Sequence, residues 1–171
     1  MASKPALISF LSLKVLVLSF SSCLAFKEEK LVFYMHDILT GKNITGVVVA
    51  AVKGLSLSEN FGTVIVIDDL VTEGPEPSSK TIARAKGLYV ISDLRGTNFD
   101  LHFSVVFVNM KYNGSTLEIQ GADRYLQKKR EVSVVGGTGQ FRYARGYAII
   151  ETVKLEGVNA ILKFSVNIRL D

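Results

Sequence analysis

The chain has 171 residues, which is the length of a single domain with one sizeable core, and it contains 20 basic and 16 acidic residues. Its formal charge of +4 argues against a nucleic-acid-binding surface, because phosphate binding needs a concentrated basic face. With two histidines and one cysteine, the sequence lacks the ligand spacing of a zinc or iron–sulfur site, so we expect neither a metal nor a cofactor.

The first 25 residues have the features of a secretory signal peptide. Two lysines precede an apolar run at Val15–Leu24, which is too short to span a bilayer, and Ala25 is predicted as the last residue before cleavage. Cleavage would remove Cys23, the single cysteine, and the two lysines, so the formal charge would fall from +4 to +2. The sequence therefore predicts a secreted domain at residues 26–171 without a membrane-spanning segment.

Alternation of apolar and polar residues with a period of two dominates the remaining chain. In Phe99–Asn109 and in Ala160–Leu170 the apolar residues occupy every second position, which is typical of strands that bury one face. Eight or nine antiparallel strands with few helices indicate a closed barrel or a sandwich, and the pattern alone does not choose between them. The strands are predicted near 30–38, 45–53, 62–68, 82–92, 99–109, 115–121, 131–136, 145–154 and 160–170.

Turn signals separate these strands. A surface loop is predicted at Glu73–Ser79, a hairpin turn at Asn113-Gly114 and another turn at Glu156-Gly157. Two N-glycosylation sequons, Asn43-Ile44-Thr45 and Asn113-Gly114-Ser115, lie at predicted turns of a secreted chain. We therefore expect glycosylation at Asn43, at Asn113 or at both.

Asp37 interrupts the apolar face of the first strand. It shares this face with Phe33 and Met35, whereas His36 must point the other way because neighbouring strand residues alternate. Two interpretations remain open: Asp37 ends the strand and caps a turn, or its carboxylate enters an apolar pocket. In a pocket, desolvation would raise the pKa of Asp37 and equip it for proton transfer. Asp37 is therefore preferred over His36, which could reach the same pocket only through a β-bulge.

Asp123 and Arg130 lie at the predicted end of one strand and at the start of the next. Scattered surface charges are the ordinary interpretation of such residues. At a pocket mouth, however, the guanidinium could bind phenol or carboxylate oxygens while the carboxylate exchanges a proton. For Arg84 and Tyr89, the ordinary interpretations are an outward basic residue and a half-buried strand aromatic. In the functional interpretation, the Tyr89 hydroxyl donates a hydrogen bond to a phenolic oxygen.

Three segments resemble the dirigent family of plants, and the resemblance extends over nearly the whole mature chain. They are LVFYMHDIL at Leu31–Leu39, RAKGLY at Arg84–Tyr89 and GADRYLQKKREVSVVGGTGQFRYARGY at Gly121–Tyr147. The resemblance implies an all-β fold that is an eight-stranded antiparallel β-barrel, the architecture that dirigent proteins share with allene oxide cyclases. It thereby favours the barrel over the sandwich.

The resemblance also implies a function. Dirigent proteins are secreted to the plant apoplast and give regio- and stereoselectivity to the coupling of phenoxy radicals, here those of monolignols in lignan biosynthesis. A separate laccase or peroxidase makes the radicals, so this chain would be an auxiliary protein rather than an enzyme with its own oxidative centre. A homodimer or homotrimer is expected, with one pocket in each barrel.

Roles for individual residues follow from the resemblance in the same way. Asp37, Asp123 or both would shuttle a proton during ring closure of quinone-methide intermediates, and Arg130 would stabilise developing negative charge on oxygen. The expected substrate-binding residues are Arg84, Tyr89 and His36.

Two other functions remain open. Some family members are dehydratases of the pterocarpan-synthase kind, which close a ring through a quinone methide without an oxidant, and the same carboxylates and arginine would serve them. The mature N-terminal segment lacks the cysteine pair of some lignan-forming relatives, which puts the substrate in doubt. A carrier barrel for a small aromatic molecule is the third possibility, although it gives no reason for carboxylates in the pocket.

Overall fold

In the computed structural model, residues 26–52 and 61–170 are described, and they form nine antiparallel strands joined by turns, with one short 3₁₀ turn at Gly139–Phe141. The predicted signal peptide, residues 1–25, lies outside the described residues. Each of the nine predicted strands is confirmed. Their bounds are β1 Lys27–Asp37, β2 Gly46–Ala50, β3 Val64–Thr72, β4 Thr81–Ile91, β5 Phe99–Phe107, β6 Thr116–Asp123, β7 Arg130–Thr138, β8 Arg145–Glu156 and β9 Asn159–Leu170.

Eight of these strands close into a barrel. Strands β3 to β9 pair with their chain neighbours, and β1 pairs with β9 along its whole length. The ring is completed where Tyr34–His36 of β1 pairs with Leu70–Thr72 of β3. The short strand β2 pairs with the first half of β3 only, so β1 and β2 lie one after the other along the same edge of β3. The predicted antiparallel eight-stranded barrel is therefore confirmed, and the alternative of a sandwich is excluded.

The alternation in the sequence decides which side chains fill the barrel. In β5 the odd-numbered residues from Leu101 to Phe107 are buried, while the even-numbered residues between them are only partly covered. In β9 the buried residues are likewise every second one, from Phe164 to Leu170. One closed, apolar interior results, because each strand contributes alternate side chains to it.

One end of the barrel is packed shut. The rings of Phe107, Tyr112 and Phe141 meet with centroid separations of 4.8–5.5 Å. The Tyr112 hydroxyl donates a hydrogen bond to Glu29 of β1, and the Lys111 ammonium lies 3.1 Å from the same carboxylate. The loops at this end therefore leave no room for a ligand, and the space in the barrel lies at the opposite end.

The predicted turns are present. Gly114 and Gly157 both have positive φ angles, 77° and 61°, which favour glycine at these hairpin positions. Both Asn43 and Asn113 are exposed at turns. Within the described ranges, no helix has the length and apolar character that a membrane span requires.

Candidate functional site

A cavity of about 630 Å³ occupies the open end of the barrel. The loops β1–β2, β6–β7 and β8–β9 surround its mouth, and its walls are mostly apolar, with Met35, Ile67 and Leu101 among the lining side chains. A volume of this size is typical of pockets that bind small organic ligands. Few polar side chains reach the cavity. Those that could transfer a proton or stabilise a charge on a ligand are Tyr89, Asp123 and Arg130.

Asp123 and Arg130 form a buried ion pair in the cavity wall. The Arg130 Nε donates to Asp123 Oδ1 at 2.6 Å, its Nη2 lies 3.4 Å from Oδ2, and its Nη1 donates to the Thr152 hydroxyl at 2.9 Å. The two charged side chains are only 4% and 2% exposed. They meet because β6 ends at Asp123, β7 begins at Arg130, and the hairpin between them places both ends at the mouth of the barrel. The structure thus brings together two residues that the sequence nominated.

Asp37 lies behind the cavity wall instead of in it. It is the last residue of β1, it is 8% exposed, and its Oδ2 accepts a hydrogen bond of 2.9 Å from the Tyr89 hydroxyl. Tyr89 itself lines the cavity. The strand therefore ends at Asp37 and the carboxyl group is buried, but this group neither caps the following turn nor lines the cavity. Its connection to the cavity runs through the Tyr89 hydroxyl.

A third carboxyl group, that of Asp69, was not predicted. Asp69 is fully buried on the inner face of β3, and its Oδ1 accepts a hydrogen bond of 2.6 Å from the Thr45 hydroxyl. The predicted strand stopped at residue 68, four residues before the end of β3 at Thr72, and so left Asp69 out. The alternation of Ile65, Ile67 and Val71 on the buried face of β3 would have placed Asp69 between them and pointed it inward.

Burial raises the pKa values of these hidden groups. Desolvation raises the pKa of Asp37 to about 6, although the Tyr89 hydrogen bond opposes the shift. Desolvation and, next, the charge of Asp37 raise the pKa of Asp69 to about 8. The pKa of Tyr89 is raised for the same reasons, so its hydroxyl stays protonated in the resting protein. The two buried carboxyl groups, Asp37 and Asp69, therefore have pKa values on either side of neutral pH, well above the ordinary aspartate range.

His36 is buried on the other side of β1 from Asp37. Its Nε2 lies 2.7 Å from the hydroxyl of Thr72, which donates to the carbonyl of Gly74 at 2.7 Å, and its pKa is lowered by burial. Regular alternation in β1 explains this placement, because no bulge turns His36 inward. The prediction of a substrate contact by His36 does not match the structure, in which this ring is outside the cavity lining.

Arg84 is on the outer surface of β4. Its Nε lies 2.5 Å from Asp68 Oδ1, and both side chains are more than a third exposed. Arg84 and Tyr89 are five residues apart in one strand, so they face opposite sides of the sheet. The structure therefore brings Tyr89 to the cavity but not Arg84, and the predicted substrate contact by Arg84 is corrected to a surface ion pair.

The arrangement offers three kinds of chemistry to a bound molecule. The apolar walls exclude water, and the stacked rings of Phe99 and Tyr125, with centroids 4.8 Å apart, provide a flat aromatic surface. The guanidinium of Arg130 is a fixed positive charge. The Tyr89 hydroxyl links the cavity to the buried carboxyl group of Asp37 by a hydrogen bond. Across residues 26–52 and 61–170 there is no group of three or more side chains suited to hold a metal ion.

Comparison with known proteins shows the same family over the whole barrel. A profile of the family described as Dirigent-like protein matches residues 28–169. Dirigent protein 1 of Arabidopsis thaliana is 39% identical over 169 residues, which cover 95% of this chain and 93% of the relative. Pterocarpan synthase 1 of Glycyrrhiza echinata is 40% identical over 130 residues, which cover 73% of this chain and 69% of that protein. A solved structure of a pterocarpan synthase dirigent protein aligns with a TM-score of 0.81 at 33% identity, covering 86% of this chain and 87% of the other.

Proposed function

The chain belongs to the dirigent family, and on this premise we propose that its barrel binds phenoxy radicals of monolignols and directs their coupling to one regio- and stereoisomer. The radicals come from a separate laccase or peroxidase, and the barrel supplies position and shelter from water. The observation that carries the proposal is the apolar cavity with an aromatic wall and the buried cation Arg130 at its mouth.

The two kinds of wall would orient a phenolic ring. The stacked rings of Phe99 and Tyr125 favour a flat aromatic ligand, and Tyr89 lies beside Phe99 with 5.5 Å between ring centroids. Arg130 would attract the phenolic oxygen, since a guanidinium donates several hydrogen bonds to one oxygen-bearing group. A radical held by its oxygen and its ring exposes one face to its coupling partner, so one product forms in excess.

Proton transfer would follow the coupling. The new carbon–carbon bond leaves quinone methides, and ring closure requires a side-chain hydroxyl to attack the methide carbon. That hydroxyl loses its proton to a carboxylate, either Asp123 or, through Tyr89, Asp37, while the quinone oxygen gains a proton to become a phenol. Arg130 would stabilise the negative charge that develops on the quinone oxygen in this step.

A second candidate function is a dehydratase that works without an oxidase. The buried carboxyl groups near Tyr89 favour it, because a group that holds a proton near neutral pH can protonate a leaving hydroxyl. The carbon–oxygen bond then breaks while a phenol conjugated with it loses its proton, so that water leaves and a quinone methide forms. A second phenol oxygen of the same molecule closes the ring on the methide carbon and loses its proton, while the quinone oxygen gains one. The similarity of this chain to pterocarpan synthase 1 of Glycyrrhiza echinata also supports the dehydratase function.

We also propose that the chain is secreted to the apoplast, glycosylated at Asn43, at Asn113 or at both, and assembled as a homodimer or homotrimer. The exposure of both asparagines supports the second point. Val49 and Val66, on adjacent strands β2 and β3, expose 58% and 40% of their surface on the outside of the barrel. Apolar outer faces of this kind support association between copies of the chain.

The test is chiral chromatography of the products that coniferyl alcohol and a laccase form, with and without the purified protein. We expect an enantiomeric excess that requires both proteins, at an unchanged rate of oxidation. Racemic products would discard coniferyl alcohol as the substrate. Incubation with isoflavanols in the absence of an oxidase then tests the dehydratase, for which ring-closed product is the expected result.

A further inference from the structure

The edge of the barrel is interrupted where the buried carboxyl groups lie. Strand β1 ends at Asp37, the chain leaves as the loop 38–45, and β2 resumes the pairing with β3 at Gly46. Met35 pairs with Val71 and His36 with Leu70, where the pairing of β1 with β3 ends. The same register, continued by one residue, sets Asp37 opposite Asp69. Both face inward, and directly opposite side chains on one face of an antiparallel pair are in contact range.

In each of the two carboxyl groups, one oxygen accepts a hydrogen bond and the other accepts none within the described part of the chain. Asp37 Oδ2 accepts the Tyr89 hydroxyl, and Asp69 Oδ1 accepts the Thr45 hydroxyl. Asp37 Oδ1 and Asp69 Oδ2 are buried and meet no hydrogen-bond partner within the described part of the chain. Buried oxygens of this kind cost free energy unless they are paired. One proton between the two carboxyl groups would provide a partner for both free oxygens.

Among the residues that the structure describes, the cation that acts on Asp69 is Arg84, and it does not replace this proton. The charged groups near Asp69 are Asp37 from β1, Arg84 from β4 and Asp68 from β3 itself, and Tyr89 of β4 adds a neutral hydroxyl. Arg84 is committed to Asp68 on the outer surface of the barrel. Two like charges held close together in a buried site cannot both ionise at low cost, so one of them keeps a proton.

We propose that Asp37 and Asp69 form a carboxyl pair that holds one shared proton and exchanges it with the cavity through the Tyr89 hydroxyl. A ligand oxygen that loses a proton gives it to the Tyr89 oxygen, and the proton of Tyr89 moves to Asp37 Oδ2. The reverse sequence delivers a proton to the ligand, and no oxidant is required in either direction. Asp69 is then a positioning residue, because its charge interacts with that of Asp37 but its side chain does not line the cavity.

The exchange with a ligand rests on the proposed function, whereas the shared proton does not. The direct test is carbon-13 NMR of the complete protein labelled at the aspartate carboxyl carbon, recorded across a pH titration. In the wild type we expect the Asp37 and Asp69 signals to move together in two steps, the upper one near pH 8. In Asp37→Asn the remaining Asp69 signal should shift in one step, at lower pH, because the neighbouring charge is gone.

Two variants separate this role from a structural one. The Thr45 hydroxyl accepts a hydrogen bond from the Ile38 backbone N–H at 3.0 Å, so Asp69 also fastens the base of the loop 38–45. Thr45→Val removes that fastening but keeps both acids, with Asn43→Gln as the control for the lost sequon. Asp69→Asn keeps an acceptor for Thr45 but removes the acid. We expect the two-step titration to survive in Thr45→Val and to collapse to one step in Asp69→Asn.

Independent one-step titrations of Asp37 and Asp69 in the wild type, with midpoints that neither asparagine variant changes, would overturn the proposal. A second readout is the pH dependence of product formation. Asp69→Asn should shift the pH at which the rate of product formation rises or falls. Asp68→Asn changes the outward neighbour on the same strand and should leave that pH in place. If the NMR shows the pair and no substrate is converted at any pH, the proposed function fails and the shared proton stands.

Discussion

Two sites with buried carboxyl groups lie at the cavity, and they differ in the groups that contact the carboxyl oxygens. Asp123 is paired with the guanidinium of Arg130 at 2.6 Å, so its negative charge is matched by a positive one. Asp37 has a tyrosine hydroxyl and a second carboxyl group, that of Asp69, in place of a cation. The same residue type therefore forms a fixed ion pair on one side of the barrel and a proton-holding group on the other. The difference teaches that the partner, more than the burial, decides what a buried carboxylate can do.

Breaking the ion pair should have the largest effect. Arg130→Met leaves the Asp123 carboxylate buried without its cation, so we expect a loss of about 3–5 kcal/mol in the free energy of unfolding. Urea unfolding measures it. In the double variant Asp123→Leu with Arg130→Met, no charge is stranded, and most of the loss should be recovered. A double variant as unstable as the single one would contradict the assignment of a buried pair.

The second site should make stability depend on pH in the opposite sense to an ordinary carboxylate. Because the folded pKa values of Asp37 and Asp69 lie above the ordinary aspartate value of 3.8, the native state binds more protons than the unfolded chain up to about pH 8. Their contribution is thus complete below pH 3.8 and is lost as pH rises through about 6 and 8. We expect a fall on the order of a few kcal/mol between those limits.

The matched comparison for this pH dependence is Asp69→Asn against Asp68→Asn, with urea unfolding measured at several pH values. Asp69→Asn should reduce the decrease in the free energy of unfolding with pH. One of the two carboxyl groups with a raised pKa is removed, and the other loses its charged neighbour. Asp68→Asn, which changes an exposed residue, should leave the slope as in the wild type. Equal slopes in the wild type and Asp69→Asn would show that the pair does not titrate as described.

Tyr89→Phe tests the connection between the second site and the cavity. The ring and its packing remain, but the hydrogen bond to Asp37 is lost, so we expect about 1–2 kcal/mol lower stability. Since that hydrogen bond lowers the pKa of Asp37, its removal should raise this pKa further. Product formation that depends on Asp37 should fall while ligand binding persists, as fluorescence titration and chromatography can measure. A wild-type product yield in this variant would contradict proton exchange through the Tyr89 hydroxyl.

The smallest effect is expected at Arg84. Arg84→Gln breaks an exposed ion pair with Asp68, and such pairs contribute about 0–1 kcal/mol. Product handedness and yield should match the wild type, because the side chain points away from the cavity. Lost handedness in this variant, as seen by chiral chromatography, would return Arg84 to the site.

Alternation in the sequence was sufficient to predict the strands, because a barrel strand buries every second residue and the pattern is local. Closure into a barrel came from the resemblance, since the pairing of β1 with β3 joins residues far apart in the chain. The resemblance also nominated Arg84, although its separation of five residues from Tyr89 places the two on opposite faces. Face parity within each strand would have corrected this prediction.

Asp69 shows where prediction from sequence stopped. Asp37 is 32 residues away, and the two carboxyl groups influence each other because β1 pairs with β3 just before both residues. Spacing along the chain contains no signal of that long-range pairing. The Asp123–Arg130 pair was easier to predict, because one hairpin joins its members.

The most direct test of the account is the handedness of coupling in the double variant Asp37→Asn with Asp123→Asn. Coniferyl alcohol and a laccase are incubated with the wild type or with this variant, after circular dichroism has shown that both are folded, and the products are separated by chiral chromatography. The account predicts an enantiomeric excess with the wild type and a racemic or much reduced product with the variant, at equal oxidation rates. Unchanged handedness and yield in the variant would contradict it.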